Sequence, residues 1–353
     1  MPFRNLIRDP FGVKFEIHDI DLAIVNAVRR CILTDITVVA FQGEDEASLE
    51  VLENNGPLHN EIILHRFGLI PIHFSEEETE SFEVDDYVFE LHVENTTPAM
   101  LNVTTKDFKV TKNGREMVAK EVQRLFPAHP ISKDHVLITR LRPGEVIHVR
   151  GKPVRATARK HAGFAAAFCT LSFMNDPVAA AQATNVLDKE RSYIKNQYND
   201  PTSFQFSIEP FNGFTPQYLV TKSLEILRSK LQKVITELYQ EPSEYVKTRV
   251  WDGEKGHGYE FIFENEDDTL GNLMQSLMYN HYIREGKKTE HGRTVSFVGY
   301  VCPHPLESTM ILRLVFSEEA PFSEYVEALA ETSRRIVSDL QAIETEWNRF
   351  AKE

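Results

Sequence analysis

The residues best suited to chemistry are few and scattered. His59, His65 and His73 share one stretch with Glu61, a combination that could ligate a transition metal or give a hydrolase its base and acid. Their spacings of 6 and 8 residues do not place the three rings on one helical face. Cys31, Cys169 and Cys302 lie far apart without a Cys-x-x-Cys pair. A thiolate zinc site, an iron–sulfur cluster and a disulfide framework are therefore not expected, and a reducing compartment fits. No Gly-x-Ser-x-Gly elbow, His-Glu-x-x-His pair or Asp-x-Asp-x-Asp cluster occurs. The glycine-rich Gly253–Gly258 stretch lacks phosphate-loop spacing and a following Lys-Ser/Thr. The run Glu264–Asp268 lacks the alternating ligands of a calcium loop and reads as a helix cap. No catalytic centre, metal or cofactor is expected in this chain.

What remains are basic pairs: Arg29-Arg30, His65-Arg66 and Lys160-His161. Each reads either as a solvated polar face or as a set of forks held out to a protein partner. The elements that position them follow from periodicity. Val13–Ile17 alternates as a strand, and Asp19 is the expected N-cap of a helix with Asp21 in its first turn. Ile24, Val28, Cys31 and Ile32 mark the buried face of that helix, leaving Arg29 and Arg30 opposite. Thr37–Phe41 returns as a strand, and Leu58–Leu69 reads as a short helix ended by Gly68. Residues 82–173 are β-rich, 178–187 are helix or loop, and Phe204–Ile208 is a strand.

Two long helices close the two halves. Thr215 caps one, with Pro216 at its first position. Its apolar stripe is Val220, Leu224, Leu227, Leu231, Val234 and Leu238, spaced 4, 3, 4, 3, 4. The last helix continues the same rhythm through Phe322, Val326, Leu329, Ile336, Leu340, Ile343, Trp347 and Phe350, with Ser333 in its one gap. Such stripes are seams for another helix.

The chain also repeats itself. Asp21, Ile24 and Asn26 recur as Asp267, Leu270 and Asn272, each 246 positions on. Val39-Ala-Phe41 recurs as Val298-Gly-Tyr300 at an offset of 259, which implies 13 residues added in the second copy, in the polar 284–294 loop. Two related half-modules in one chain predict a dimer folded as a monomer.

The 353 residues allow about two or three domains. A net charge of −14 argues against a broad nucleic-acid face. No apolar run reaches the ~18 residues of a membrane span, and the first residues are not signal-like, so a soluble, unexported chain is expected.

Taken together, two sets of blocks resemble a family. Asp21–Arg30, followed by Asn60-Glu61-Ile-Ile-Leu-His65-Arg66-Phe-Gly68-Leu69-Ile-Pro71, resembles the larger alpha-like subunit of archaeal and eukaryotic DNA-dependent RNA polymerases. Asp267-Asp-Thr-Leu-Gly271-Asn272-Leu, followed by Phe297–Glu307, resembles the smaller alpha-like partner. Lys160-His161-Ala162 resembles a basic-histidine signature of the inserted domain of the larger one. Cellular enzymes carry the two as separate chains that heterodimerise through long helices; the resemblance implies a fusion of the kind found in large DNA viruses.

The fold implied is α+β: an intramolecular pseudo-dimer of two alpha-like dimerisation modules with a β-rich insertion. Residues 1–45 and 203–242 form the first module, 46–202 the insertion, 243–258 a linker and 259–353 the second module. The function implied is a non-catalytic assembly platform on which the two largest, catalytic subunits are placed. Magnesium belongs to those partners, and a small assembly subunit is a further expected partner. Asn26, Arg29, Arg30, His65, Arg66, Gly68, Leu69, Lys160 and His161 are expected to meet a large subunit. Leu224, Leu227, Leu231, Val234, Leu238, Asn272, Leu329, Ile336, Leu340 and Ile343 are expected to hold the halves together. Some relatives bind zinc or an iron–sulfur cluster through clustered cysteines, which only Cys169 could begin to supply here. Bacterial alpha carries a DNA-binding tail, for which this sequence gives no sign. The expected site of action is host cytoplasm or virion, with the nucleus as the alternative. A free-standing dimerisation scaffold and a hydrolase built on Glu61 and His65 are the rival readings.

Overall fold

The computed structural model describes residues 2–43, 48–240, 242–253, 256–304 and 306–352. A β-hairpin opens the chain, β1 (Phe3–Arg8) and β2 (Val13–His18), and leads into α1 (Leu22–Thr34) and β3 (Val38–Ala40). A second body follows: β4 (Leu49–Asn54), α2 (Asn60–Phe67), α3 (Glu76–Glu80), β5 (Tyr87–Glu94), β6 (Leu101–Thr104), β7 (Phe108–Lys112), β8 (Arg115–Glu116), α4 (Ala119–Leu125), β9 (Leu137–Leu141) and β10 (Val146–Gly151). The chain returns through β11 (Val154–Ala156) and β12 (Ala167–Phe173), makes an excursion with α5 (Pro177–Gln182) and α6 (Val186–Glu190), then forms β13 (Ser203–Pro210) and the long α7 (Pro216–Glu237). The remainder is β14 (Val246–Gly253), β15 (Gly256–Glu264), α8 (Asp268–Met278), β16 (Val295–Val301), β17 (Thr309–Phe316) and α9 (Phe322–Phe350).

The two modules have one plan. The first sheet runs β1-β2-β13-β12 and the second β14-β15-β17-β16, all antiparallel. In each, a hairpin leads to a short helix, a second strand pair follows, and a long helix ends the unit. The insertion stands on its own five-stranded sheet, β4-β10-β5-β7-β8, and its own aromatic core around Phe41, Phe67, Phe89, Phe108 and Phe126.

Three sequence readings change on this frame. The stretch read as a linker, 243–258, contains β14, which occupies in the second sheet the place of β1 in the first. Most of β14 is exposed, so its residues carry no alternation that would mark a strand; residues 254 and 255 lie outside the described residues. The insertion boundary also moves, because β12, read as part of 46–202, pairs along its length with β13 in the first module's sheet. The repeat of Val39–Phe41 at Val298–Tyr300 does not join equivalent sheet strands. β16 lies beside β17 where β12 lies beside β13, while β3 pairs with β11. The Ala-rich segment is resolved as two short helices, each capped by an Asx side chain, Asp176 and Asn185.

A single hydrophobic core spans both modules. Leu224, Leu227, Leu231, Val234, Leu329, Ile336 and Leu340 are each 0% exposed. Leu238 is buried at the C-cap of α7, and Ile343 packs half-buried against the same core. The two long helices run antiparallel. The Trp347 indole N–H donates to the Gln217 carbonyl at 3.3 Å, Arg228 pairs with Glu344 at 2.9 Å, and Arg334 reaches the Tyr239 hydroxyl at 3.0 Å. Ser333 fills the gap in the stripe because its hydroxyl turns back to the Leu329 carbonyl at 2.9 Å, so no polar atom is stranded. Phe3 and Phe15 close the seam against Trp347 and Phe350.

Candidate subunit-docking face

The first helix begins with an aspartate cap. Asp21, at φ −59° and ψ 135°, accepts from the Ala23 N–H at 2.8 Å. Asp19, expected as the cap, instead takes a left-handed turn at φ 57° two residues earlier. Asp267 caps α8 in the same way, accepting from the Thr269 N–H at 2.8 Å. The repeated Asp-x-x-Leu/Ile-x-Asn is thus a repeated cap and first turn. Ala23, Ile24, Val25, Ala27, Val28, Cys31 and Ile32 are buried under α1, which turns Asn26, Arg29 and Arg30 away from the core.

The two arginines then differ. Arg29 Nε donates to the Asn26 side-chain oxygen at 3.0 Å, one turn back. Arg30 reaches across the seam: its Nε donates to the Thr269 hydroxyl at 2.9 Å, and its guanidinium lies 3.9 Å from Asp267. Arg30 is therefore a contact between modules, and reversing its charge would disturb their pairing as well as any outer face.

Arg30 belongs to a larger network that the sequence did not reveal. Asp35, 5% exposed at its side chain, pairs with Arg159 at 2.6 Å and with Lys230 of α7 at 3.0 Å. Arg159 also pairs with Asp267 at 2.9 Å, and Lys230 with Glu266 at 3.2 Å. The Tyr245 hydroxyl donates to Glu266 at 2.9 Å. Burial pushes the Asp35 carboxyl up, but the Arg159 hydrogen bond and the Lys230 charge outweigh it and hold the carboxyl below its usual range. Asp267 is likewise held low: Arg159 and the Thr269 N–H overcome its burial. Lys230 is desolvated, yet Glu266 and Asp35 raise it. Asp35 lies 124 positions from Arg159, and Lys230 and Asp267 come later still, so spacing could not join them; only the adjacency of Arg159 to Lys160-His161 gave a sign.

The other two basic pairs meet at a junction of glycines. A Cβ on Gly163 would come 1.9 Å from the Gly68 carbonyl oxygen, and one on Gly43 would come 2.3 Å from the Leu64 carbonyl oxygen. Only glycine permits these backbones to touch. Gly68 itself is at φ −60°, so it ends α2 by close approach and not by a left-handed turn. The His161 ring accepts from the Gly163 N–H at 3.0 Å, and Arg66 donates to the Leu137 carbonyl at 3.2 Å. The His65–Leu69 segment and Lys160-His161 are thus brought together, and Arg159 ties them to the end of α1. Lys160 and His65 are exposed, as are Ile62 (46%) and Leu69 (53%). A basic surface with apolar residues beside it suits a protein partner.

Asn272 does not join the apolar ridges. It is half-buried on α8, accepts from the Ser276 hydroxyl at 3.3 Å, and lines a cleft between the modules. Glu61 and His65 both stand exposed on α2 and line none of the cavities described. Burial lowers His73. Among the described residues no three His, Cys, Asp or Glu side chains are placed to hold a metal ion, and no helix is long and apolar enough to cross a membrane.

Comparison with known proteins agrees with the duplicated plan. The family model of the RNA polymerase Rpb3/Rpb11 dimerisation domain matches residues 14–231, and a second model of the same description matches residues 259–346. Pro305, within the second match, lies outside the described residues. The chain is 26% identical to the DNA-directed RNA polymerases I and III subunit rpac1 of Dictyostelium discoideum, over 51% of this chain and 54% of that protein. It is 24% identical to the DNA-directed RNA polymerase subunit Rpo3 of Thermococcus kodakarensis, over 67% of this chain and 98% of that protein. It is 25% identical to the DNA-directed RNA polymerase II subunit RPB3 of Schizosaccharomyces pombe, over 67% and 86%. The match thus spans about half of the first relative and most of the other two. None of these matches indicates a catalytic role. The chain belongs to the RNA polymerase Rpb3/Rpb11 dimerisation-domain family and carries that domain twice, as a paired α+β unit.

Proposed function

We propose that this chain is a non-catalytic assembly platform of a DNA-dependent RNA polymerase, on which the two largest subunits dock. Its modules stand for the two alpha-like subunits joined in one polypeptide, as in large DNA viruses. One observation carries the reading: α7 and α9 of a single chain lie antiparallel in one continuous core. Pairing that could join two chains is completed within one, so the outer faces are left for other proteins. Magnesium and nucleotidyl transfer belong to the large partners, and a small assembly subunit is a further partner. The site of action on this reading is host cytoplasm or virion, with the nucleus as the alternative.

The test is Arg29→Glu, because Arg29 hydrogen-bonds within its own helix, to Asn26, whereas Arg30 is part of the seam. Reversal of one interface arginine should lower capture of a large subunit by tenfold or more, about 1.4 kcal/mol. The melting temperature should not change. Undiminished co-purification of both large subunits with the variant would overturn the assignment of this face. The rival reading, a free-standing scaffold, requires that the native chain be recovered without polymerase subunits.

A further inference from the structure

We propose that the cleft at the seam binds an extended polypeptide segment of a polymerase partner subunit, and that it does so only when the two modules are paired. The proposal rests on the polymerase-subunit reading above. The cleft has a volume of about 770 Å³. Its walls come from the start of α1, from residues 196–202 at the end of the excursion between β12 and β13, and from α8 with the π-type turn Tyr279–Arg284 that extends it. Two contacts fasten these walls across the seam. Asn280 Nδ2 donates to Asp21 at 2.7 Å, and Arg284 pairs with Asp200. Separated modules would have no such cleft.

The polarity of the walls selects the ligand. Asn196, Asn272 and Gln275 line the cleft, and each has its side-chain oxygen already engaged. Asn196 accepts from the N–H groups of Tyr198 at 2.9 Å and Asp200 at 3.0 Å, and Gln275 from the N–H of Tyr300 at 3.0 Å. Backbone donors fix which end of these amides is oxygen. Asn272 accepts from Ser276. The three amide nitrogens therefore donate to no acceptor among the described residues, and they call for carbonyl-type acceptors. The same cleft also holds carboxylates, Asp19 and Glu285, beside Arg335, whose guanidinium already donates to the Leu277 carbonyl at 3.0 Å. A phosphate ligand would meet them at a cost, whereas a polypeptide backbone offers C=O to the amides and N–H to the carboxylates. Two rings complete the match. Tyr198 is 45% and Tyr279 41% exposed, and the Arg284 guanidinium lies 5.1 and 5.5 Å from their centroids. Held in this way, the rings give side chains of a bound segment an apolar, low-entropy surface.

The experiment uses the native polymerase purified through a tag on this chain, with p-benzoylphenylalanine in place of Tyr279 and, as control, in place of the exposed Val118 of the insertion. The expected result is a light-dependent adduct from position 279 that maps to one segment of an identified polymerase subunit. It should fall at least fivefold in the Asn196→Asp/Asn272→Asp/Gln275→Glu variant, which keeps each inner oxygen and replaces each free donor by an acceptor. Polymerase subunits present without an adduct at 279 would overturn the proposal. So would an adduct only to a second copy of this chain or to nucleic acid, or one that the triple variant leaves undiminished. A preparation free of polymerase subunits would overturn the underlying function as well.

Discussion

Asp35→Asn removes an anion shared by two cations that come from distant parts of the chain. Arg159 approaches one carboxylate oxygen at 2.6 Å and Lys230 the other at 3.0 Å. An amide can offer its single oxygen to only one of them. Stripping one partner from a buried ion pair costs about 3–5 kcal/mol. Here both cations keep a second anion, Asp267 at 2.9 Å for Arg159 and Glu266 at 3.2 Å for Lys230. The Arg159 side chain is also 40% exposed, so solvent screens part of the loss. The expected destabilisation is about 2 kcal/mol. Urea unfolding at pH 7 provides the assay, followed by fluorescence of Trp347, which is 1% exposed at the seam. With a slope of about 3 kcal/mol per M, the midpoint should fall by about 0.7 M. Acid unfolding gives the sign. Asp35 and Asp267 are both held low in the folded chain, so their contribution is complete above the unfolded carboxylate value of about 3.9. It is lost as pH falls through the folded values. The variant should therefore show a shallower loss of stability on the acid side. A midpoint unchanged within ~0.2 M, with an unaltered acid limb, would refute the view that this network helps hold the modules together.

Other outcomes follow from particular contacts. Leu231→Ala, at a wholly buried point of the α7 ridge, should cost about 2–5 kcal/mol by urea titration. Gly163→Ala forces a Cβ against the Gly68 backbone; a loss of about 1–3 kcal/mol is expected, with weaker capture of a large subunit in a pull-down. Glu78 is raised by burial, but the Arg124 hydrogen bonds at 2.6 and 2.8 Å and the Ser75 N–H bring it down to about 2 from 4.5. Its contribution to the insertion should be full above pH 4.5 and fade towards pH 2, and a thermal-melting series with Glu78→Gln should remove that fading. Burial pushes the thiols up, Cys169 to about 12 and Cys302, with help from Asp268, to about 11. Cys31 and Cys169 are also enclosed while Cys302 is half-exposed. A thiol reagent at pH 8 should modify Cys302 first and the other two only on unfolding.

The legible parts of this fold were those whose signal is local. The 4/3 stripes on α7 and α9 are set by helical periodicity, and all their positions but Phe322 and Ile343, which are half-buried, are buried. The Asp21 and Asp267 caps are visible because a cap and its first turn occupy a few consecutive residues. β14 gives no strand signal because an exposed edge strand has no apolar alternation. Nothing local in β12 says which sheet it joins. The Asp35–Arg159–Lys230 cluster and the glycine junction at residues 43, 68 and 163 depend on contacts between remote segments. Arg30 shows the same limit: its neighbour Arg29 has the same local context, and the place of Thr269 and Asp267 across the seam separates their roles.

The most direct test is the subunit stoichiometry of the native polymerase, purified through this chain and weighed by native mass spectrometry. The expected complex contains one copy of this chain, both large subunits and no separate small alpha-like chain. Two copies of this chain, or one copy paired with a separate alpha-like subunit, would contradict pairing of the two modules within a single polypeptide.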